Sequence, residues 1–348
     1  MNENRVIYFD FLRVFATIFV IMLHVSASYF PAVNVHSLEW KMFNFYDSIS
    51  RWAVPLFVMI SGSLFLRKSP DVHVMYRKYI LRIAAAFFIW SALYIIHYTN
   101  LYGVAHPLSQ KEVLMRFIKG HYHMWFLAML FGVYAMVPLL KPIVESKTRM
   151  NYFLLLSFVL SILFPTLISV LKDGNLEIAN VFYYQKGRFD MSFGYLFYFV
   201  LGYWMDRNDT RKIRGLIYVL GIVGFVFTVI ATDILSVKIG TIDDTFYNEL
   251  TLNVLFETVA VFQLFKDVFP KISIGEQVEK WTLKLSNYCF GIYLVHPMII
   301  EVLDHYGFNS LSFTSVLSVP VITLIVWLIS LIISAVLNRI PIINKYIV

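Results

Sequence analysis

Three things are scarce in this chain of 348 residues: cysteine, charge, and any repetitive or linker-like sequence. The single cysteine, Cys289, excludes an intramolecular disulfide, and its place within an apolar run reads as a small buried hydrophobe. Charged residues make up only 15% of the chain, well below the usual share in a soluble globular domain. There is no phosphate-binding loop, dinucleotide fingerprint, nucleophile elbow or paired metal-ligand spacing. Chemistry driven by ATP or metal is therefore unsupported, and no metal and no tightly bound cofactor are expected. With no low-complexity tract, long linker or short internal repeat, residues 1–348 are expected to form one membrane domain.

What fills the chain is apolar. Hydrophobic residues account for 59% of positions and the mean hydropathy is +0.69, values of an all-α, polytopic integral membrane protein. Ten spans are expected, at about 11–31, 46–66, 80–99, 122–140, 151–171, 190–206, 214–232, 247–266, 286–303 and 312–337. The first is too long for a cleavable signal peptide, contains Arg13 and His24, and is expected to stay as a helix. The net charge of +7 is topological and does not imply a nucleic acid partner. Most Lys and Arg cluster in alternate loops (Arg67-Lys68 to Arg82, Lys141 to Arg149, Arg207 to Arg214, Lys266 to Lys284), which places both termini in the cytoplasm. External connections at 32–45, 100–121 and 172–189 are candidates for a cap over an outward cavity. Segment 267–285, with Val278 and Trp281 beside Lys280 and Lys284, reads as an interfacial amphipathic helix.

Ionisable side chains inside a bilayer are costly and normally face a protein interior or a water-filled cavity. Arg13 and His24 lie eleven positions apart, about 16 Å along one helix and within about 20° around it. Asp10, Thr17 and Ser28 fall near the same stripe. Arg51, on the external side, runs against the charge bias, while Pro55 and Ser61-Gly62 read as a kink and a close-packing point. His121 and His123 are two apart and do not share a helical face, which makes a poor metal site and leaves His123 as a pocket-lining donor. Tyr122 and Trp125 suit an aromatic belt. Glu257 enters the bilayer on a ridge with Glu249 and Asn253 and needs a partner such as Arg51 or an imidazole. Span nine carries Tyr288, Tyr293, His296, Pro297 and Glu301. By residue count Glu301 reaches the depth of His24, although His296 and Glu301 point about 140° apart.

At these residues the chain resembles the acyltransferase family 3 membrane proteins. The resemblance rests on Arg13 and His24 within Phe9-Asp10-Phe-Leu-Arg13, on Arg51-Trp-Ala-Val-Pro55 to Ser61-Gly62, on His123-Met-Trp125-Phe-Leu, and on Tyr288 to His296-Pro297. Phe9 departs from the family's usual leucine. The nearest branch is the stand-alone O-acetyltransferases of bacterial surface polysaccharides, that of enterobacterial common antigen among them. No appended esterase domain is seen. The resemblance implies transfer of an acyl group, usually acetyl, from cytoplasmic acyl-CoA to a hydroxyl of an extracytoplasmic glycan or lipid-linked sugar, in a bacterial inner membrane. His24 would be the general base, with Glu301 or Glu257 supporting it. Asp10, Arg13 and Thr17 would serve the acyl-CoA, and Arg51, Ser61, His123, Trp125, Tyr288, Tyr293 and His296 the acceptor pocket. A covalent acyl-enzyme, another acyl chain and a homo-oligomer all stay open. A transporter or flippase without covalent chemistry is the main alternative, because intramembrane Arg, His and Glu also mark transport pathways. A non-catalytic membrane scaffold is the second.

Overall fold

The computed structural model describes residues 6–68, 70–103, 106–173 and 194–347, and among these all regular structure is helical. The expected external connection at 172–189 lies almost wholly outside the described residues. Long apolar segments have one solution in lipid, which is to satisfy every backbone group within a helix. The principal helices are α1 (Ile7–Ala27), α2 (Leu38–Ser48), α3 (Ala53–Lys68), α4 (Leu81–Tyr102), α5 (Gln110–Lys119) and α6 (Trp125–Val144). Then come α7 (Lys147–Phe158, continued through a wide turn to Asp173), α8 (194–207), α9 (Arg214–Ile239), α10 (Leu252–Val268), α11 (Glu276–His305) and α12 (Ser315–Leu337).

Among the described residues, seven helical segments are long and apolar enough to cross a membrane, where ten spans were expected. The described parts of the other three expected spans are helical as well. However, α8 and the 17-residue α10 are short, and α11 carries Glu276, Glu279, Lys280, Lys284, Glu301 and Asp304. Two boundaries also differ from expectation. The external connection before span two is largely α2, capped by the Ser37 hydroxyl accepting from the Trp40 amide at 3.1 Å, and a turn at 49–52 separates it from α3. The expected interfacial helix at 267–285 merges into α11, because no Gly or Pro interrupts the chain between Glu276 and Gly291.

Helix α1 is central and packs on α2, α3, α11 and α12. It runs parallel to α11. Ser286 meets Asp10 near one end, His296 meets His24 further along, and Asp304 accepts from the Tyr29 hydroxyl just past the other end. Elsewhere helices approach at backbone distance. A Cβ on Gly62 of α3 would lie 1.8 Å from the Phe199 carbonyl oxygen of α8, and one on Gly202 of α8 would lie 2.1 Å from that of Met59. Such contact lets dispersion forces act where the lipid gives helices no hydrophobic reason to associate.

Candidate active site

The polar stripe of α1 has two ends with different surroundings. At the N-terminal end Asp10 is buried, accepts from the Ser286 hydroxyl at 2.7 Å and lies 3.5 Å from Nη1 of Arg13. The Arg13 side chain stays 29% exposed, so its guanidinium keeps donors for a ligand. Thr17 turns its hydroxyl back on the Arg13 carbonyl at 2.7 Å. At the C-terminal end the His24 ring lies 5.2 Å from that of His296 and 5.2 Å from that of Tyr122, measured between centroids. Among the described residues no hydrogen bond engages the His24 imidazole.

His296 is oriented by its neighbour in sequence. Pro297 has no amide hydrogen to give the Tyr293 carbonyl, and the His296 Nδ1–H donates to that oxygen at 2.8 Å instead. With Nδ1 protonated, Nε2 carries the lone pair. That atom is buried and has no partner among the described residues.

His123 is fixed by a longer chain. Glu301 receives two imidazoles: His97 donates through Nε2 to Oε2 at 3.0 Å, and His121 through Nε2 to Oε1 at 2.9 Å. This leaves the Nδ1 lone pair of neutral His121 to accept from the Nδ1–H of His123 at 3.1 Å, and His123 therefore bears its own lone pair on Nε2. That nitrogen too is buried and unpartnered among the described residues. Tyr293 donates its hydroxyl to the His123 carbonyl at 2.8 Å, and Tyr94 stacks on His121 at 4.1 Å, tying α11 and α4 to the same group. A cavity of about 190 Å³ between α4 and α5 reaches His121 and Glu301, with Tyr98, Tyr102 and Arg116 on its walls.

Of the residues expected from sequence, the structure thus gathers His24, His123, Tyr293, His296 and Glu301. The others make their contacts elsewhere, although Arg51 is near enough for its charge to act on His24. Glu257 is buried between α9 and α10, where the Thr228 hydroxyl donates to it at 2.8 Å. Arg51 is ion-paired with buried Asp47, donates to the Tyr247 carbonyl at 3.1 Å and covers the Tyr247 ring. Ser61 accepts from the Tyr134 hydroxyl at 3.4 Å. Trp125 is 41% exposed beside Tyr195, and the Tyr288 carbonyl accepts from Ser334 of α12.

Sequence reasoning did not single out His97 or Tyr94, and it set His121 aside on helical geometry. That geometry does not apply here. Residues 122–124 form a 3₁₀ turn, entered from Gly120 at φ +71°, and α6 begins only at Trp125. His121 is the extended residue just before that turn (φ −74°, ψ 157°), so the angle an α-helix sets between residues two apart does not govern it, and its ring meets that of His123. Among the described residues no group of three or more His, Cys, Asp and Glu is arranged to hold a metal ion.

The sequence pattern of the acyltransferase family 3 domain matches residues 6–339, nearly the whole chain. No curated protein and no solved structure matches it. A family match from the first helix to the end of the last long one, on an all-helical membrane architecture, leaves one assignment: this chain belongs to acyltransferase family 3 and is a membrane acyltransferase.

Proposed function

We propose that the protein is an O-acyltransferase that takes an acyl group, in the first instance acetyl, from cytoplasmic acyl-CoA and gives it to a hydroxyl of an extracytoplasmic glycan or lipid-linked sugar. In this reading the chain makes ten spans with both termini in the cytoplasm of a bacterial inner membrane, on the polysaccharide O-acetyltransferase branch. One observation carries it: a single helix holds a guanidinium that is 29% exposed at one end and, at the other, an imidazole with no hydrogen bond among the described residues. The Arg13 end suits the phosphates or pantetheine of a donor, helped by the basic loops. His24 suits the acceptor.

The acceptor oxygen forms a new bond to the thioester carbonyl carbon, its proton passes to the His24 imidazole, and the carbon–sulfur bond breaks to release CoA, whose sulfur recovers a proton. A neutral imidazole within hydrogen-bond reach supplies what a sugar hydroxyl lacks at neutral pH. Positioned proton transfer of this kind accounts for about 10²–10⁴ in rate. The test is purified protein in liposomes with labelled acetyl-CoA on the Arg13 side and glycan acceptors on the other. Wild type should transfer label, and His24→Ala should lose transfer while keeping its thermal midpoint. Movement of a glycolipid without any consumption of acyl-CoA would instead identify a flippase.

A further inference from the structure

Two imidazoles and a carboxylate lie behind His123, further from the acyl path than the proposed chemistry requires. We infer that His97, Glu301 and His121 form a proton store for the reaction: they hold His123 with its Nε2 lone pair free, accept the charge while the acceptor attacks, and return the proton to the leaving thiolate. This rests on the acyltransfer reading above.

The geometry gives the direction of each step. Glu301 sits between two Nε2–H donors, so both His97 and His121 are held in one tautomer. His121 then presents Nδ1 as an acceptor, and the 3.1 Å contact to His123 is a hydrogen bond between two imidazoles. When His24 hands the proton it took from the acceptor to Nε2 of His123 and returns to neutral, the Nδ1 proton of His123 crosses to Nδ1 of His121. The positive charge now rests on an imidazolium whose other nitrogen donates to the Glu301 carboxylate. Reversal of these transfers, back through His123 to His24, restores every tautomer and delivers the proton to sulfur. One proton enters, one leaves, and no other reactant is consumed.

The surroundings favour a working relay over a packing contact. The receiving nitrogen of His123 is buried and without a partner among the described residues, which costs free energy unless something occupies it during turnover. The Nε2 of His296, in the neighbouring ring 5.6 Å away, is in the same condition. The far end of the chain opens on the α4–α5 cavity, so solvent reaches Glu301. The other titratable groups facing the relay are Tyr94, Tyr98 and Tyr102 of α4 and Arg116 of α5. Tyr122 lies before α6, Tyr293 and His296 come from α11, and His24 from α1.

The test uses the full-length protein in liposomes, with labelled acetyl-CoA and a glycan acceptor. Glu301→Gln should lower kcat on the order of a hundred-fold with both KM values little changed, as expected of a positioned proton-transfer group. His121→Ala should lose comparable rate and regain part of it with added imidazole, which a purely structural role would not permit. If Glu301→Gln fails to fold, His97→Asn carries the same kcat-against-KM test from the outer edge of the chain. Wild-type kcat in Glu301→Gln and His121→Ala, alongside an inactive His24→Ala, would overturn the relay and leave the acyltransfer reading standing. A wild type with no acyl-CoA-dependent transfer would overturn that reading first, and the relay with it.

Discussion

Replacing Gly62 by alanine adds one methyl group where the structure has no room for it. The new Cβ would sit 1.8 Å from the Phe199 carbonyl oxygen, 2.5 Å from its carbonyl carbon and 2.9 Å from its Cα, all backbone atoms of α8. Non-bonded heavy atoms settle near 3.5 Å, so α3 and α8 must part by roughly 1.7 Å. No rotamer relieves a clash with main chain. The reciprocal contact at Gly202 would open with it, and residues of the core around Leu56, Met59, Tyr198 and Phe199 would lose neighbours. Overpacking of this kind costs about 1–3 kcal/mol, and a backbone-to-backbone clash belongs at the upper end. Gly132 of α6 provides the control, since a Cβ added there would meet nothing within 4 Å and the residue is exposed. There the same substitution relieves a helix-interior glycine and should add about 0.5–1 kcal/mol. Thermal unfolding in one detergent, followed by loss of the monodisperse peak, compares the two directly. Gly62→Ala should fall below wild type and Gly132→Ala should match or exceed it. Equal midpoints for the two variants would refute the claim that α3 and α8 touch along their backbones.

Other expectations concern the charged groups. Arg13→Ala should raise the acyl-CoA concentration needed for half-maximal transfer while sparing the response to acceptor; an unchanged acyl-CoA dependence would remove its assigned role. Glu257→Gln keeps the oxygen that Thr228 bonds and should leave transfer near wild type, so a deep loss of kcat would return Glu257 to the chemistry. Arg51→Ala strands the fully buried Asp47 and should cost about 3–5 kcal/mol in stability, read as a lower thermal midpoint; Arg51→Ala with Asp47→Ala should recover part of it.

Much of this arrangement is legible in the sequence, and the illegible part has physical causes. Apolar run length predicts helices, and costly residues within them predict a site, which is why His24, His296 and Glu301 can be chosen before any coordinates. Depth by residue count sets Glu301 level with His24, whereas in the structure His296 lies beside His24 and Glu301 stands five residues further along the same helix, and the count cannot say which helices are neighbours. The carboxylate reaches the cluster through His121 and His123, while Glu257, at a plausible depth, faces Thr228 on another pair of helices. The 140° between His296 and Glu301 reads as a conflict only if both must touch one atom. In the structure they serve opposite edges of one network. His121 is hidden by an assumption of helical geometry across a 3₁₀ turn, and His97 by the absence of any local pattern around it. The span count exceeds the seven apolar segments because α8 and α10 are short and α11 is charged at both ends.

The parallel pairing of α1 with α11 has a consequence for biogenesis. Asp10 finds Ser286, His24 finds His296 and Tyr29 finds Asp304 only after nearly the whole chain has been made. At about 5–20 residues per second, the first helix waits roughly tens of seconds in the bilayer with its polar stripe unmet by the partner that will cover it. Nascent chains stalled before α11 should therefore leave α1 exposed to membrane quality control, and a separately expressed α11–α12 fragment is the piece that would rescue them.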